Sequence, residues 1–249
     1  MQPVFGETRT YVGARHALIA PDGHVPSRYP GFEAATPYYM ISPAMGANLV
    51  QMAVVFEKGG KARFPVLKSK QRFFYIEEGA VEVTCGELRE NTGPGNYLYS
   101  FGKEVRMESG SGCRMTVFES AHESSGTESA PEVIFGDAAK VKGEPFLGNE
   151  RALLQTLLPD ELAMDMAVNI FTYEPGATLP FVETHIMEHG LLMLSGQGIY
   201  RLEDKYYPVG KGDVIWMAPY CPQWFVAMGD EPASYLYYKN INRHCYSEH

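Results

Sequence analysis

The residues best suited to chemistry lie in one stretch, residues 176–196. Glu183, His185 and His189 share one parity there, so on an extended strand their side chains project from the same face. Same-face neighbours on a strand lie about 6 to 7 Å apart at the backbone, so Glu183 and His185 can converge on one ion, and His189 can join them if the strand bends. A carboxylate and two imidazoles on the inward face of a small barrel indicate a divalent-metal site.

A structural role is the alternative for each of these side chains, because single histidines in strands are usually structural. Glu188 has the opposite parity and is expected to be solvated or ion-paired on the other face. Two histidines and a glutamate of matching parity, so close together in the sequence, favour the metal site. The other histidines are expected on the surface, in loops or at the terminus: His16, His24, His122, His244 and His249.

Strands joined by turns are predicted throughout the chain. Gly and Pro separate short runs rich in Val, Ile, Tyr and Phe, which favour strands. Such runs are residues 51–56, 72–76, 79–84 and 234–238. Helical periodicity is weak, so the chain is predicted to be mostly β, a sandwich or barrel rather than a Rossmann-type alternation.

Comparison of the chain with itself predicts an internal duplication with an offset of 117 residues. The offset places residues 57–59 on 174–176, Gly79 on Gly196, and 95–96 on 212–213. Three turn glycines therefore have the same spacing in both copies, and each copy is a β domain of roughly 100 residues. The predicted divisions are an N-terminal arm, a first domain, and a linker with the second domain, at residues 1–30, 31–135 and 136–249.

Composition excludes several classes of partner. The 249 residues carry a formal charge of −9, from 21 Lys and Arg against 30 Asp and Glu, so no nucleic-acid partner is expected. No apolar stretch approaches the ~20 residues that cross a bilayer, and the N-terminus does not resemble a secretory signal, so no membrane partner is expected. Four separated cysteines fit reduced thiols in a cytoplasmic protein: Cys85, Cys113, Cys221 and Cys245.

The stretch that carries the candidate ligands resembles the first cupin motif, G-x5-H-x-H-x3or4-E-x6-G, with one extra residue after Gly176. Glu183 replaces its first histidine and His189 replaces its glutamate. Residues 212–223 keep the frame of the second motif, with Gln223 at the position of the last metal histidine. The resemblance implies two tandem cupin barrels, that is, double-stranded β-helix or jelly-roll domains. It also implies a metal ligand set, which is Glu183, His185, His189 and Gln223.

This altered ligand set, in the second of two cupin domains, resembles the (S)-ureidoglycine aminohydrolases of purine (allantoin and allantoate) degradation, and the similarity extends over essentially the whole chain. The family implies manganese-dependent hydrolysis of (S)-ureidoglycine to (S)-ureidoglycolate and ammonia, in a homo-oligomer. It implies four catalytic and substrate-binding residues: Glu183, Tyr200, Tyr235 and Lys239. Tyr235, Tyr237 and Lys239 share one face of their strand. Asn242 and Arg243 are expected to close the end of the barrel.

The choice of metal and of activity stays open at the level of the residues. Two imidazoles with two oxygen ligands and no thiolate suit Mn²⁺, with Fe²⁺, Co²⁺, Ni²⁺ and Zn²⁺ as competitors. The alternatives to the aminohydrolase are another metal-dependent cupin enzyme, a dioxygenase or isomerase acting on a small organic acid, and a non-catalytic bicupin that binds a small molecule.

The first copy is predicted to hold no metal. The offset places one apolar and three cationic residues at the ligand positions: Val66, Lys68, Arg72 and Arg106. Such a set cannot bind a divalent cation, so the first domain is expected to be a structural or assembly partner, or a surface for an anion.

Overall fold

The computed structural model describes residues 7–123 and 131–241, and nearly every element in them is a β-strand. Eleven strands lie in the first part of the chain: β1 (Tyr11–Val12), β2 (His16–Ile19), β3 (Phe32–Ile41), β4 (Leu49–Phe64), β5 (Lys70–Gly79), β6 (Val81–Cys85), β7 (Leu88–Thr92), β8 (Asn96–Phe101), β9 (Val105–Ser109), β10 (Cys113–Ala121) and β11 (Ile134–Asp137). Nine follow: β12 (Glu144–Phe146), β13 (Asn149–Thr156), β14 (Met166–Tyr173), β15 (His189–Ser195), β16 (Gln197–Leu202), β17 (Lys205–Gly210), β18 (Val214–Met217), β19 (Gln223–Met228) and β20 (Ala233–Asn240).

Helical structure in these residues is limited to three short 3₁₀ turns, Pro21–Gly23, Pro43–Met45 and Ala138–Lys140. The prediction of a mostly β fold is confirmed. No helix in the described part of the chain has the length and apolar character that a membrane crossing requires. Asn242, Arg243, His244, Cys245 and His249 lie outside the described residues.

The strands form two curled bodies. In the N-terminal barrel the order is β11-β8-β5-β10-β4-β9-β6-β7, with β3 also paired to β4. In the C-terminal barrel one sheet has the order β1-β2-β18-β15-β20-β14-β13-β12, and a smaller sheet of β17-β16-β19 closes the other side. The N-terminal strands β1 and β2 therefore belong to the C-terminal barrel, whereas β11 extends the N-terminal one.

The predicted turn glycines show why both halves fold alike. Gly79 and Gly196 occupy equivalent turns with φ of 75° and 67°, a left-handed conformation that side chains disfavour. A Cβ atom would lie 2.2 Å from a carbonyl oxygen at Gly79 and 2.5 Å from one at Gly196. The other two pairs also have positive φ: Gly59 with Gly176, and Gly95 with Gly212. Equivalent glycines thus direct the chain through equivalent turns.

The two barrels share a buried core. Along β15 the side chains alternate: Leu191 and Met193 face the inside of the C-terminal barrel, while Leu192 packs in the core shared with the N-terminal barrel. Phe118 of β10 stacks on Tyr238 of β20 across this boundary, with ring centroids 5.8 Å apart. The central strands of the large sheet, β15, β18 and β20, are therefore largely buried on both faces. Each buried leucine contributes roughly 1.5–3 kcal/mol.

The arm is anchored by a polar cluster that the sequence did not indicate. His16 was expected on the surface, in a loop or at the terminus, but it lies in β2 and is 1% exposed. Its ring nitrogens lie 3.0 Å from Glu203 Oε2 and 2.8 Å from the Tyr207 hydroxyl. Arg9 forms two hydrogen bonds of 2.6 and 2.7 Å with the buried carboxylate of Asp213. These contacts hold the start of the described chain against the C-terminal barrel.

Candidate metal and substrate pocket

The segment that carries the first candidate ligands is irregular rather than a continuous strand. Before β15 it contains only isolated bridges, one of which joins Glu183 to Gln223. Backbone hydrogen bonds of 2.8 and 3.0 Å link these two residues, and Tyr220 N–H donates to His185 O at 2.7 Å. The expectation of an extended strand is wrong here, but the bend it required between His185 and His189 is present. Pro180 and the bend residues that follow prevent a regular ladder.

Two imidazoles meet through their Nε2 atoms. His185 Nε2 and His189 Nε2 lie 3.1 Å apart. The other ring nitrogens face carbonyl oxygens, of Met187 for His185 and of Tyr238 for His189, each at 3.1 Å. A carbonyl oxygen only accepts, so each Nδ1 carries the proton and both Nε2 atoms present lone pairs. Two lone pairs cannot bond each other, whereas a cation between them satisfies both.

Burial keeps these groups ready to act as ligands. Burial, followed by the nearby His185, lowers the pKa of His189 to about 3. Burial likewise lowers the pKa of His185. Both rings are therefore neutral, the form that binds metals. Burial also raises the pKa of Glu183, and the Lys239 ammonium opposes that shift.

Gln223 completes the inner end of the pocket. Its side chain is 3% exposed, its Nε2 donates to His185 Nε2 at 2.9 Å, and its Oε1 accepts from the Tyr200 hydroxyl at 3.3 Å. A half-turn of the amide exchanges its two ends, so the oxygen can face the imidazoles while the NH₂ group donates to Tyr200. The donors present thus fit a divalent cation. As the described side chains stand, however, no three His, Cys, Asp or Glu residues are gathered into a metal-binding group. Glu183 lines the pocket beside the imidazoles, and its role as a ligand stays a prediction.

The pocket wall is built from tyrosines of the C-terminal barrel. The Tyr235 and Tyr173 hydroxyls lie 3.1 Å apart, and both residues are almost wholly buried. Burial raises the pKa of Tyr200 and of Tyr235 well above the usual phenol range, so both stay neutral hydrogen-bonding groups. Lys239, two strand positions beyond Tyr237, pairs in register with His189 across β20 and β15.

Lys239 has no carboxylate partner among the described residues, since none lies within salt-bridge distance of its ammonium group. It is half-buried and faces the same cavity as Glu183. A half-buried ammonium without a fixed counter-ion is available to an anionic ligand.

The cavity encloses about 160 Å³ and is lined by all seven residues that the sequence singled out. Sequence reasoning missed the apolar part of its wall, which includes Phe146, Leu154, Phe171, Met187, Leu191 and Met217. Tyr237, which the sequence placed on the same strand face as Tyr235 and Lys239, also lines the cavity. Phe171 could not be predicted from the sequence, because it joins the wall through the pairing of β14 with β20, which leaves no mark in the sequence. Cys221 is absent from this lining, and burial raises the pKa of its thiol to about 11.

In the N-terminal barrel, the strand positions equivalent to those of His189 and Lys239 hold a cation and an anion instead of a neutral imidazole and a cation. Arg72 pairs in register with Glu119 across β5 and β10, as His189 pairs with Lys239 in the other barrel. Arg72 Nε donates to Glu119 Oε2 at 2.6 Å, and Arg72 is 2% exposed. In the N-terminal barrel, an ion pair therefore occupies the positions that His189 and Lys239 occupy in the C-terminal barrel. The other residues at ligand positions are exposed: Val66, Lys68 and Arg106.

Glu188, expected to be solvated or ion-paired, is not solvated. It is 0% exposed, and its Oε1 accepts from Trp216 Nε1 at 2.7 Å. Both of its carboxylate oxygens also lie 3.0 Å from the backbone N–H of Asn48, in the N-terminal barrel. Parity correctly placed Glu188 on the opposite face, but only the tertiary structure reveals that this face is an internal boundary.

Comparisons with known proteins give the fold and the pocket a family context. A family model described as a cupin domain matches residues 169–238. The chain is 34% identical over 249 residues to the (S)-ureidoglycine aminohydrolase of Arabidopsis thaliana, covering 98% of this chain and 81% of that protein. A crystal structure of the Escherichia coli protein Ylba superposes with a TM-score of 0.85 at 28% identity, covering 96% of this chain and 97% of that one. A variant of Bacillus subtilis oxalate decarboxylase, at 11% identity, is similar in fold alone, with a TM-score of 0.71 over 94% of this chain and 79% of that one. The prediction of tandem cupin barrels is confirmed.

Proposed function

The chain belongs to the (S)-ureidoglycine aminohydrolase family, and we propose that it hydrolyses (S)-ureidoglycine to (S)-ureidoglycolate and ammonia in the C-terminal barrel, with Mn²⁺ bound there. Membership makes it a hydrolase of purine degradation. The observation that carries the proposal is the meeting of His185 and His189 through unprotonated Nε2 atoms, in a pocket that also contains Lys239.

The metal would be held by Glu183, His185, His189 and Gln223. Bound there, a divalent cation supplies Lewis-acid charge to the reacting end of the pocket. Glu183 offsets one of its two charges and the Gln223 amide offsets none, so an anionic substrate is favoured. The mixed nitrogen and oxygen donors without thiolate favour Mn²⁺, as the family suggests.

Substrate orientation depends on Lys239. The carboxylate is the only fixed negative charge of (S)-ureidoglycine, and the Lys239 ammonium has no carboxylate partner among the described side chains. Charge-assisted hydrogen bonds of this kind are stronger than neutral ones. Binding of the carboxylate by Lys239 would present one face of the tetrahedral substrate carbon to water, which accounts for stereospecificity through orientation.

The chemical step replaces one bond at that carbon. The carbon–amine bond breaks, assisted by the lone pair of the ureido nitrogen, and a water oxygen bonds to the carbon. One water proton leaves with the amine as ammonia, and the other stays on the new hydroxyl group. Glu183 would accept hydrogen bonds from the amine and hold it in the orientation from which it departs.

The tyrosines would recognise the ureido group. Tyr200 and Tyr235 stay neutral because burial raises the pKa of each, so each hydroxyl can both donate and accept a hydrogen bond. The small cavity, about 160 Å³, fits a compact ureido acid better than a larger substrate. The aromatic and aliphatic wall excludes bulk water and strengthens these polar contacts.

An ammonia-release assay tests the proposal. Protein stripped of metal by chelation is supplied with freshly generated (S)-ureidoglycine, with and without added Mn²⁺, and ammonia is followed with time against a protein-free control. Release stimulated by Mn²⁺ is expected. Full activity in metal-free protein would contradict the metal role, whereas no stimulated release would favour another metal-dependent cupin activity, a dioxygenase or an isomerase.

A further inference from the structure

Glu188 joins the two barrels immediately beside the pocket. Its carboxylate is fully buried and accepts from two donors on different elements, the Trp216 indole of β18 and the Asn48 backbone N–H of the N-terminal barrel. Its own backbone N–H donates to Asn240 Oδ1 at 2.6 Å. A buried carboxylate is retained only where such bonds compensate its lost hydration.

These bonds flank two residues of the pocket. Glu188 directly precedes His189, and Asn240 directly follows Lys239. His189 and Lys239 are themselves paired in register. The hydrogen bond from Glu188 to Asn240 therefore links β15 and β20 beside the pair formed by His189, a candidate metal ligand, and Lys239, the candidate carboxylate-binding group.

The N-terminal barrel also contacts β15, the strand that begins with His189, on the face away from the pocket. The Gln51 side chain of β4 donates from Nε2 to Leu191 O at 3.3 Å. A Cβ atom on Gly190 would lie 2.7 Å from the Leu49 side chain and 2.8 Å from Gln51 Oε1, so a larger residue would require these buried side chains to shift. Contacts with the N-terminal barrel therefore hold the backbone on both sides of His189 in place.

We infer that Glu188 is a positioning residue, which uses the N-terminal barrel to set the location of His189 and so the metal affinity of the pocket. The inference rests on the proposed function in one respect, that the imidazole pair binds a metal ion. It gives a role in the pocket to the N-terminal barrel, which is predicted to hold no metal, because that barrel supplies the Asn48 donor and the packing behind β15.

Manganese titration tests the role without any substrate. Free Mn²⁺ is followed by electron paramagnetic resonance during titration of metal-free protein, for wild type, Glu188→Gln and Glu188→Leu. The dissociation constant should rise about 10- to 100-fold for Glu188→Leu, the usual effect of losing a group that orients a metal ligand. The dissociation constant should rise less for Glu188→Gln, because the amide oxygen of glutamine can still accept from the Trp216 indole. Trp216→Phe, which removes one donor, covers the case in which Glu188→Leu does not fold.

Tyr97→Phe is the matched control. It also removes a buried hydrogen bond across the boundary, from the Tyr97 hydroxyl to Leu157 O at 2.8 Å, but away from the pocket. It should lower Tm and leave the Mn²⁺ dissociation constant unchanged. Equal weakening in Tyr97→Phe, or unchanged Mn²⁺ affinity in folded Glu188 variants, overturns the inference.

The two proposals fail separately. If the wild-type protein binds Mn²⁺ but releases no ammonia, the weaker Mn²⁺ binding of the Glu188 variants still supports the positioning role, and the proposed function falls. If the wild-type protein is active with Mn²⁺ and the variants bind it equally well, the proposed function stands and the positioning role falls.

Discussion

The imidazoles of the pocket meet through nitrogen atoms that carry no proton. Each ring donates its one N–H to a backbone carbonyl, at Met187 for His185 and at Tyr238 for His189. The remaining lone pairs face each other across 3.1 Å in a site where burial lowers the pKa of both rings. Protonation cannot relieve this contact near neutral pH, so a metal ion is the partner that fits.

His189→Ala should therefore abolish metal binding. This change removes one of the two proposed imidazole ligands, and the expected result is no retained Mn²⁺ and no ammonia release from a chain that still folds as a β protein. Metal content by mass spectrometry, with circular dichroism for the fold, measures this. Lys68→Ala, at an exposed ligand-equivalent position of the N-terminal barrel, should keep the wild-type metal content. Loss of metal in Lys68→Ala would contradict the assignment of the site to the C-terminal barrel.

Lys239→Met should weaken catalysis through the substrate carboxylate. Hydrogen bonds to charged groups contribute about 1.5–3 kcal/mol, so kcat/KM for (S)-ureidoglycine should fall roughly 10- to 150-fold while Mn²⁺ still binds. Steady-state ammonia release measures the effect. Lys211→Met serves as the control, because Lys211 is exposed and its 3.7 Å ion pair with Glu78 is a surface contact of little energetic value. Similar kinetics in both variants would argue against carboxylate recognition by Lys239.

At this scale, side-chain chemistry in the sequence indicated the pocket, whereas the parity argument assumed an extended strand that this segment does not form. Glu183, His185 and His189 share a parity, and the structure places all three at one pocket. The environment of Glu188 could not be predicted, since its donors come from residues far away in the chain. Parity separates two faces of a strand, but it does not distinguish a face in contact with water from one covered by another domain.

At the scale of elements, turns and short irregular segments position the site. The stretch before β15 was predicted as a strand, yet it pairs with β19 only through isolated bridges at Thr178 and Glu183 and scattered backbone hydrogen bonds, such as Leu179 N–H to Phe225 O at 3.0 Å. The irregular course brings His185 and His189 together, which a straight strand would keep apart. Strand-forming runs could be predicted because side-chain type governs them, whereas a bend depends on hydrogen bonds to distant partners such as Tyr220.

Gly196→Ala should destabilise the chain more than an ordinary turn substitution. The residue has φ of 67° and its new methyl group would lie 2.5 Å from a backbone carbonyl oxygen, so left-handed strain is combined with a steric clash. We expect a loss of about 2–4 kcal/mol in the free energy of unfolding, measured by chemical denaturation. Gly148→Ala, with φ of 81° and open space around the methyl group, should cost about 1 kcal/mol. Equal losses would show that the clash relaxes.

At the scale of the whole molecule, the two barrels share one buried core. Their shared core contains Phe118 and Leu49 from one barrel and Leu192 and Tyr238 from the other. The duplication could be predicted because turn glycines repeat with constant spacing. The shared core could not, since it arises from faces that read as ordinary strand faces in either copy. The cytoplasmic location, the homo-oligomeric state and the domain boundaries stay predictions.

Thermal unfolding should therefore be a single transition. Separation of the barrels exposes the shared core, so neither barrel is expected to melt alone. Saturation with Mn²⁺ at about 100 times its dissociation constant stabilises the native state by about 2.7 kcal/mol, which should raise the single Tm by roughly 5–10 °C. Scanning calorimetry measures both features. Two transitions, of which Mn²⁺ shifts only one, would contradict a cooperative unit.

One barrel of the two is expected to bind a catalytic metal through the imidazole pair. Crystals of the full chain grown with Mn²⁺ test it directly, through an anomalous difference map collected at the manganese absorption edge. We expect one peak per chain, within bonding distance of the Nε2 atoms of His185 and His189 and beside Gln223. A peak beside Arg72 in the N-terminal barrel, or no peak between the two imidazoles, would contradict it.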